Sequence, residues 1–219
     1  MEQEQQQQSR QRLGKQLQKL KPTRRGRGGR NKKEKINKMC QFSILGTNAN
    51  GLKAKTSSLV NTINLFNNPS AVTIQETKHR NHGTIKLNGY QIFEMHREGF
   101  GGGLLTAVRH ELEPVLINQC EDAEVMVVQV KVGSKSIRIF NAYGPQENDV
   151  LSQTKLNFWQ TLEKEIILAY EAGCDILIEL DANGKVGPDV IPDDPNCQTE
   201  NGKLLMEMLS RQNLFFSKC

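Results

Sequence analysis

Polar side chains follow several apolar runs of this sequence, at points where predicted strands end: Asn48, Glu76, Tyr143, Asp181 and Asn183. Ligand sites of sheet proteins tend to gather outside strand ends, because side chains from distant segments can converge there on a rigid backbone. Phosphodiester cleavage requires a hard divalent cation bound by carboxylate oxygen, and a carboxylate that orients and deprotonates water. Glu76 could bind the cation, and Asp181 could activate the water. Tyr143 and Asn48 could donate hydrogen bonds to phosphate oxygens. If these side chains converge, they could form part of a phosphodiesterase site.

The same residues also have simpler interpretations. A Glu at the end of a strand is usually a solvated surface charge, and the pairs Asn50-Gly51 and Asn183-Gly184 are typical of turns. Asp181 and Asn183 point to the same side only if the backbone between them is extended. The convergence of these residues is therefore a hypothesis that depends on the fold.

Neither the histidines nor the glycine cluster matches a binding motif. The histidines show no metal-ligand spacing and are predicted to be surface residues: His79, His82, His96 and His110. Gly101-Gly102-Gly103 is followed by no Lys-Ser or Lys-Thr pair, and no helix pattern opens there. The glycines are therefore predicted to form a turn rather than a phosphate-binding loop.

Short apolar runs alternate with longer helical patterns from residue 41 onward, which is typical of an α/β protein. Strands are predicted over residues 41–47, 71–75, 90–95, 103–108, 126–132, 136–141, 175–180 and 214–217, and helices from residue 56, over 152–172 and over 201–212. The helix over 152–172 is expected to bury Leu156, Trp159, Leu162, Ile166 and Tyr170. The hairpin signature at Gly133-Ser134 favours a two-layer sandwich flanked by helices over a purely parallel sheet.

The charge of the chain is divided between an arm and a body. Residues 1–39 hold 13 Lys or Arg against three Glu, a net charge of +10, while the whole chain carries +5. An arm rich in Gln, Gly and positive charge cannot bury a core, so we expect residues 1–39 to be disordered and residues 40–219 to form one domain. A functional interpretation of the arm is a phosphate-binding segment or a nuclear-import signal, and the alternative is a solubilising leader or a gene-model artefact upstream of the domain. The first interpretation assigns nucleic-acid contacts to Arg24, Arg25, Arg27, Arg30, Lys32 and Lys33.

Composition excludes several protein classes. The 219 residues, of which 37% are hydrophobic, suffice for one sizeable core, and no apolar stretch approaches the roughly 18–20 residues of a membrane span. The first nine residues are rich in Glu and Gln, unlike a secretory signal peptide. The five cysteines are scattered without any C-x-x-C spacing, which indicates neither a disulfide framework nor a zinc site. We expect an intracellular protein of a reducing compartment.

In order and spacing, these segments resemble the endonuclease/exonuclease/phosphatase superfamily. More narrowly, they resemble the apurinic-type endonuclease domain at the N-terminus of non-LTR retrotransposon polyproteins. Five blocks carry the resemblance: Asn48-Ala49-Asn50-Gly51-Leu52, Gln75-Glu76-Thr77-Lys78, Gly101-Gly102-Gly103-Leu104, Asn141-Ala142-Tyr143-Gly144-Pro145 and Leu180-Asp181-Ala182-Asn183. The Gln-Glu-Thr and Asp-x-Asn blocks are the most specific of them.

The resemblance implies a deoxyribonuclease-like four-layer fold and a DNA endonuclease that uses Mg²⁺, with Mn²⁺ as an alternative. By position, it implies that Glu76 binds the metal directly with help from Asn48, and that Tyr143 contacts the scissile phosphate. Asp181 would orient or deprotonate the nucleophile, and Asn183 would contact phosphate. DNA is the implied partner, and no membrane is.

Three departures from the family pattern bear on activity. Leu180 stands where the family usually has Gly, and Asn50 stands where some relatives have a carboxylate. The family also carries a further Asp and a Ser-Asp-His block on later strands, and no His follows Asn183 here. From this we expect a domain that is truncated at its C-terminus and weak or inactive by itself, because each lost contact typically costs orders of magnitude in rate.

Three functional hypotheses remain open. The first is a DNA endonuclease domain of a mobile element that nicks target DNA. The second is a non-catalytic nucleic-acid-binding remnant of the same fold. The third is a phosphoesterase that acts on a small substrate. The run Asn201-Gly202-Lys203-Leu204-Leu205 favours the first hypothesis over the third.

Overall fold

A computed structural model describes residues 42–79, 85–97, 101–147, 152–187 and 198–215. These ranges contain strands β1 (Ile44–Asn48), β2 (Ala71–Gln75), β3 (Tyr90–Met95), β4 (Leu104–Arg109), β5 (Val115–Cys120), β6 (Val125–Val132), β7 (Lys135–Tyr143) and β8 (Asp175–Asp181). They also contain helices α1 (Thr56–Leu65), α2 (Ser152–Glu171) and α3 (Glu200–Arg211). Within these ranges, no helix is long and apolar enough to cross a membrane.

The strands form two mixed four-stranded sheets. The first has the order β1-β2-β4-β3 and the second the order β5-β6-β7-β8. β1 pairs with β2, and β7 with β8, in parallel, while the other neighbours are antiparallel. The parallel pairs end in register, with Asn48 opposite Gln75 and Tyr143 opposite Asp181. Each sheet therefore presents two adjacent strand ends, and the predicted site residues lie at or just after them.

Three apolar clusters separate four layers. Alternating residues of β4 and β6, such as Leu104 and Met126, fill the space between the sheets. On the outer face of the first sheet, Leu59 and Ile63 of α1 pack against Leu105. Helices α2 and α3 cover the second sheet through a cluster that includes Phe158, Trp159, Leu162, Ile166 and Met208. This arrangement confirms the predicted α/β sandwich flanked by helices.

A buried polar pair joins the two sheets directly beneath the strand ends. Gln75 Nε2 donates to Asn141 Oδ1 at 2.8 Å, and Asn141 Nδ2 donates to Leu105 O at 2.9 Å and to Thr106 Oγ1 at 3.2 Å. Asn141 is fully buried. Because an unpaired buried amide is costly, this pairing favours one alignment of the two sheets.

Several sequence predictions require correction. Strand β5 was not predicted, because its residues are half exposed and a register shift between Leu116 and Asn118 interrupts the alternation that marks a strand. Leu214 and Phe215 lie in no strand, and the rest of the predicted strand over 214–217 lies outside the described residues. Residues 1–39, for which disorder is predicted, also lie outside the described ranges, so that prediction stays a prediction.

The buried stripe of α2 is also different from the predicted one. Trp159, Leu162 and Ile166 are buried as expected, but Leu156 is 41% exposed and Tyr170 is 44% exposed. The stripe runs instead through Lys155, Phe158, Trp159, Leu162, Glu165, Ile166 and Ala169. Two charged residues thus occupy positions that a hydrophobicity pattern assigns to solvent.

Candidate active site

The loops after β1, β2, β7 and β8 meet at one end of the sandwich. Asn48 Nδ2 donates to Glu76 Oε1 at 2.9 Å and to Asp181 Oδ2 at 2.6 Å, and so joins the two sheets. The Tyr143 hydroxyl donates to the same Glu76 oxygen at 2.8 Å. Four residues separated by up to 133 positions in sequence therefore form one hydrogen-bonded group.

Asn183 adjoins this group in a turn rather than in an extended segment. Its φ is 46°, and its backbone N donates to Asp181 Oδ1 at 3.1 Å. Its side chain donates to Gly144 O at 2.7 Å, while Gly144 N donates to Asp181 O at 2.7 Å. The backbone is not extended at Asn183, so the condition under which Asp181 and Asn183 would share one side of a strand is not met. The turn holds Asp181 through both its backbone and its carboxylate.

Lys78 is a site residue that the sequence did not single out. Its Nζ lies 3.2 Å from Glu76 Oε2 and donates to Asn50 Oδ1. The sequence could have indicated Lys78 as a site residue, because it belongs to the Gln75-Glu76-Thr77-Lys78 block that carries the resemblance. Asn50, which stands where some relatives have a carboxylate, thus accepts from a lysine that also pairs with Glu76.

Left-handed backbone conformations concentrate around the site. Glu76 has a φ of 49° and Lys78 a φ of 50°, and Asn50 and Asn183 lie in the same region. Asn tolerates this region, but Glu and Lys adopt it rarely and at a cost of about 1 kcal/mol or more. Such strain persists only where the surrounding contacts impose it, and here it aims the Glu76 carboxylate at Asn48 and Tyr143.

The glycine turn imposes the backbone path after Glu76. Thr77 N donates to Gly103 O at 3.1 Å, and Lys78 N donates to Gly102 O at 3.0 Å. Gly103 N in turn donates to the buried Glu124 carboxylate at 2.7 Å. A Cβ at Gly103 would lie 2.6 Å from Thr77 Oγ1, and Gly103 has a φ of 86°, so only glycine fits. The described part of the predicted turn, residues 101–103, therefore supports the site.

The surroundings keep Glu76 ionised and Tyr143 protonated. Burial alone would raise the pKa of Glu76, but hydrogen bonds from Asn48, Tyr143 and Lys78, and the charge of Lys78, lower it below the usual value. Burial is the main reason that the pKa of Tyr143 lies above its ordinary value, and the neighbouring Glu76 adds to this effect. The phenol is therefore a hydrogen-bond donor at neutral pH.

The donor set fits a hard divalent cation of the Mg²⁺ type. Mg²⁺ is usually held by one or two carboxylates, with water and substrate phosphate completing its shell. Glu76 and Asp181 offer two carboxylates that share Asn48 as a neighbour. Within the described ranges, no group of three or more His, Cys, Asp and Glu side chains forms a metal site, as zinc would need. As placed, Asn48 directs its amide nitrogen toward the carboxylates, and its Oδ1 accepts from Asn50 N at 2.9 Å.

Two further sequence predictions concern the basic residues of the arm and the histidines. The arginines and lysines assigned to nucleic acid, Arg24, Arg25, Arg27, Arg30, Lys32 and Lys33, lie outside the described residues. Of the histidines predicted to be surface residues, His110 is exposed and His82 lies outside the described ranges. His96 is not a surface residue: its side chain is 12% exposed, because the ring packs against His79 and its Nδ1 lies 2.7 Å from His79 O.

No family model and no curated protein matches the sequence. Solved structures do match the fold. The endonuclease domain of TRAS1, a telomere-specific non-LTR retrotransposon, aligns at 17% identity and a TM-score of 0.56, over 78% of this chain and 70% of that one. The catalytic domain of Xenopus laevis APE2 aligns at 15% identity and a TM-score of 0.60, over 76% and 67%. An AP endonuclease from Archaeoglobus fulgidus aligns at 19% identity and a TM-score of 0.52, over 78% and 70%.

The chain has the deoxyribonuclease I-like fold. The resemblance that the five sequence blocks indicate is thus confirmed at the level of fold. The deoxyribonuclease I-like sandwich brings Asn48, Glu76, Tyr143, Asp181 and Asn183 to one end of its sheets. The chemical roles predicted for these residues stay predictions.

Proposed function

We propose that this chain is a DNA endonuclease domain of the non-LTR retrotransposon type, which nicks target DNA by Mg²⁺-dependent phosphodiester hydrolysis. One observation carries the proposal: Asn48 bridges Glu76 and Asp181 while Tyr143 donates to Glu76, at the shared end of both sheets. A merely structural Glu at a strand end would be solvated, but this one gathers three donors and is only 18% exposed.

Each residue of the site has a distinct task in the proposed hydrolysis. A Mg²⁺ ion held by Glu76, with help from Asn48, would neutralise phosphate charge and stabilise the leaving oxygen. Asp181, fixed at both carboxylate oxygens by Asn48 and by Asn183 N, accepts the proton of the attacking water. The neutral Tyr143 phenol donates to a non-bridging phosphate oxygen, beside the Asn183 amide.

The similar structures support DNA as the substrate. The TRAS1 domain is a retrotransposon endonuclease, and the structure of a 3′ phosphatase from Neisseria, similar at a TM-score of 0.52, contains a product DNA hairpin. The arm over residues 1–39, with its net charge of +10, would add sequence-independent phosphate contacts. We assign that contact to Arg24, Arg25, Arg27, Arg30, Lys32 and Lys33.

A plasmid-nicking assay tests the proposal. Supercoiled plasmid is incubated with the full chain and Mg²⁺, and the conversion to open circles is followed with time. We expect slow or no nicking by the chain alone. In the chain extended by the final strands of a full-length relative, Glu76→Gln and Asp181→Asn should each lower the rate by at least about a hundredfold, since each removes a charge that serves the metal or the water. Glu113→Gln is the matched control, because Glu113 is a surface residue paired with Lys131. Nicking that is indifferent to both site variants would overturn the site assignment.

The alternative is a nucleic-acid-binding remnant without catalysis. This alternative is favoured by Asn50, which stands where some relatives have a carboxylate. The same preparation distinguishes the two, because a remnant binds duplex DNA but does not nick it with Mg²⁺ or Mn²⁺. A second protein, to which the final strands of a full-length relative are appended, should nick faster because it gains the family's further Asp and Ser-Asp-His block. If the extended protein also fails to nick, the remnant hypothesis is preferred.

A further inference from the structure

Asn201 lies fully buried at the start of α3, with hydrogen bonds on every side of its amide. Its Nδ2 donates to Pro145 O at 2.7 Å and to Asn183 O at 3.4 Å. Its Oδ1 accepts from Trp159 Nε1 at 3.2 Å. A side chain in this place must donate on one side and accept on the other, which excludes carboxylates and aliphatic residues of similar size.

The two carbonyls that Asn201 holds belong to different site loops. Pro145 comes two residues after Tyr143, and Asn183 comes two residues after Asp181. One amide group therefore spans the loop after β7 and the loop after β8. Tyr143 and Asp181 themselves are opposed at the end of the β7–β8 ladder, so the part of the site that Asn201 can hold is the pair of loops beyond them.

Close packing around Asn201 leaves its backbone little freedom. A Cβ at Gly202 would lie 1.9 Å from Lys185 O, and a Cβ at Gly184 would lie 2.7 Å from Asn201 Cβ. Thr199 caps α3 and accepts from Lys185 N at 2.9 Å. The start of α3 is thus pressed against the segment that follows Asn183.

An ion-paired group fixes the other side of Asn201. Its backbone N donates to Glu147 Oε1 at 2.9 Å, and the other Glu147 oxygen pairs with Lys155 at 3.0 Å. The Lys155 side chain is 5% exposed and also pairs with Glu200 at 3.0 Å. A buried lysine with two carboxylate partners is strongly positioned, because losing both pairs would leave its buried charge without compensation.

We propose that Asn201 is a positioning residue for the candidate active site, which holds the loop after β7 against the Asp181–Asn183 turn through its two donated hydrogen bonds. Its effect on catalysis rests on the proposed nuclease function, but its effect on the two loops does not. A residue that only stabilises the fold would act on the whole domain, whereas a positioning residue acts on these loops first.

Two substitutions separate the donors of Asn201 from its acceptor. Asn201→Asp keeps an oxygen for the Trp159 indole but turns a carboxylate oxygen toward the carbonyls of Pro145 and Asn183. Trp159→Phe removes the indole and leaves both donated bonds in place. The chain has one tryptophan, so its emission reports directly on the indole side of Asn201.

Hydrogen exchange of the full chain gives a readout that needs no activity. In Asn201→Asp, the amides of Gly144 and Asn183 should exchange at least about tenfold faster, the factor that corresponds to about 1.4 kcal/mol in opening free energy. Amides of β4 and β6 should keep their rates, and the Trp159 emission should stay close to that of the unchanged chain. In Trp159→Phe, the amides of Gly144 and Asn183 should keep their protection.

Each other outcome counts against the proposal. Faster exchange throughout both sheets, or a failure of Asn201→Asp to fold, would make Asn201 a structural anchor only. Unchanged protection of the Gly144 and Asn183 amides would show that the two loops keep their structure without the hydrogen bonds from Asn201. If the chain nicks DNA, Asn201→Asp should lower kcat more than it raises KM. If neither the chain nor the extended protein nicks, the proposed function fails while the exchange result still decides the role of Asn201.

Discussion

The strength of the hydrogen bond from Tyr143 to Glu76 can be measured directly, and it tests how the site residues are held together. Its donor and acceptor lie 2.8 Å apart, and the Glu76 side chain is 18% exposed. Hydrogen bonds to charged groups contribute about 1.5–3 kcal/mol when buried, and solvent reduces this. We therefore expect a coupling energy of about 1–2 kcal/mol between the two side chains at neutral pH, near the lower end of the range for hydrogen bonds to charged groups.

A double-mutant cycle measures this coupling through the free energy of unfolding. Tyr143→Phe, Glu76→Ala and the double variant are unfolded in urea, and the non-additive part is the interaction. Because Glu76 and its Ala replacement share the same left-handed backbone, strain cancels in the cycle. Tyr90→Phe is the matched control: its hydroxyl donates to Pro69 O at 2.6 Å, in a different part of the first sheet, and should show no coupling to Glu76.

The coupling has a defined pH dependence. The pKa of Glu76 is lowered in the folded chain, so its stabilising contribution is complete above the pKa of a free glutamate, about 4.3, and is lost as pH falls through the folded value. The coupling with Tyr143 should disappear over that window, because a protonated carboxyl no longer offers an anionic acceptor. A coupling below about 0.3 kcal/mol at neutral pH, or one that persists in acid, would refute this account of the site.

Three further predictions concern the rest of the chain. Burial raises the pKa of Glu179, so the free energy of unfolding should fall as pH rises from the unfolded-state pKa to the folded-state pKa of this residue. Glu179→Gln removes the cost of burying the charge, about 1 kcal/mol after solvent screening, and should raise the Tm at neutral pH by about 2–4 °C in thermal unfolding. Gly202→Ala should destabilise the domain by about 1–3 kcal/mol in urea unfolding, because the new Cβ would lie 1.9 Å from Lys185 O. Deleting residues 1–39, with their net charge of +10, should weaken DNA binding and flatten the plot of log K against log salt in fluorescence anisotropy, and an unchanged slope would exclude the arm as the phosphate contact.

The elements that could be predicted from the sequence are those with a single clear periodicity. The bounds of β2 and β3 agree with the prediction, because each is an apolar run between turn residues. Strand β5 could not be predicted, because an edge strand with a register shift loses the alternation on which such predictions depend. For α2, the buried Lys155 and Glu165 are exceptions to the assumption that charged side chains face solvent. Lys155 pairs with Glu147, and Glu165 accepts a hydrogen bond from Asn118.

The site residues could be predicted for a different reason. Each comes at the end of an apolar run, so the strand ends could be located without knowing which strands pair. What the sequence could not give is the set of contacts between loops, such as the bond from Lys78 to Asn50 or the span of Asn201 between two carbonyls. Those contacts depend on backbone turns at positive φ, and Glu76 and Lys78 are residue types for which such turns are rarely predicted.

The position of Asn141 explains why the site lies at this end of the sandwich. Apolar contacts between two sheets are not directional, so they specify the alignment of the sheets less sharply than a hydrogen bond does. The Gln75–Asn141 pair specifies it, because a shift would leave two buried amides without partners. Gln75 immediately precedes Glu76, and Asn141 lies two residues before Tyr143, on the same side of β7. The bond that aligns the sheets is thus made by residues close to Glu76 and Tyr143, so we expect a change at Asn141 to disturb the bond from Tyr143 to Glu76 even though Asn141 itself is fully buried.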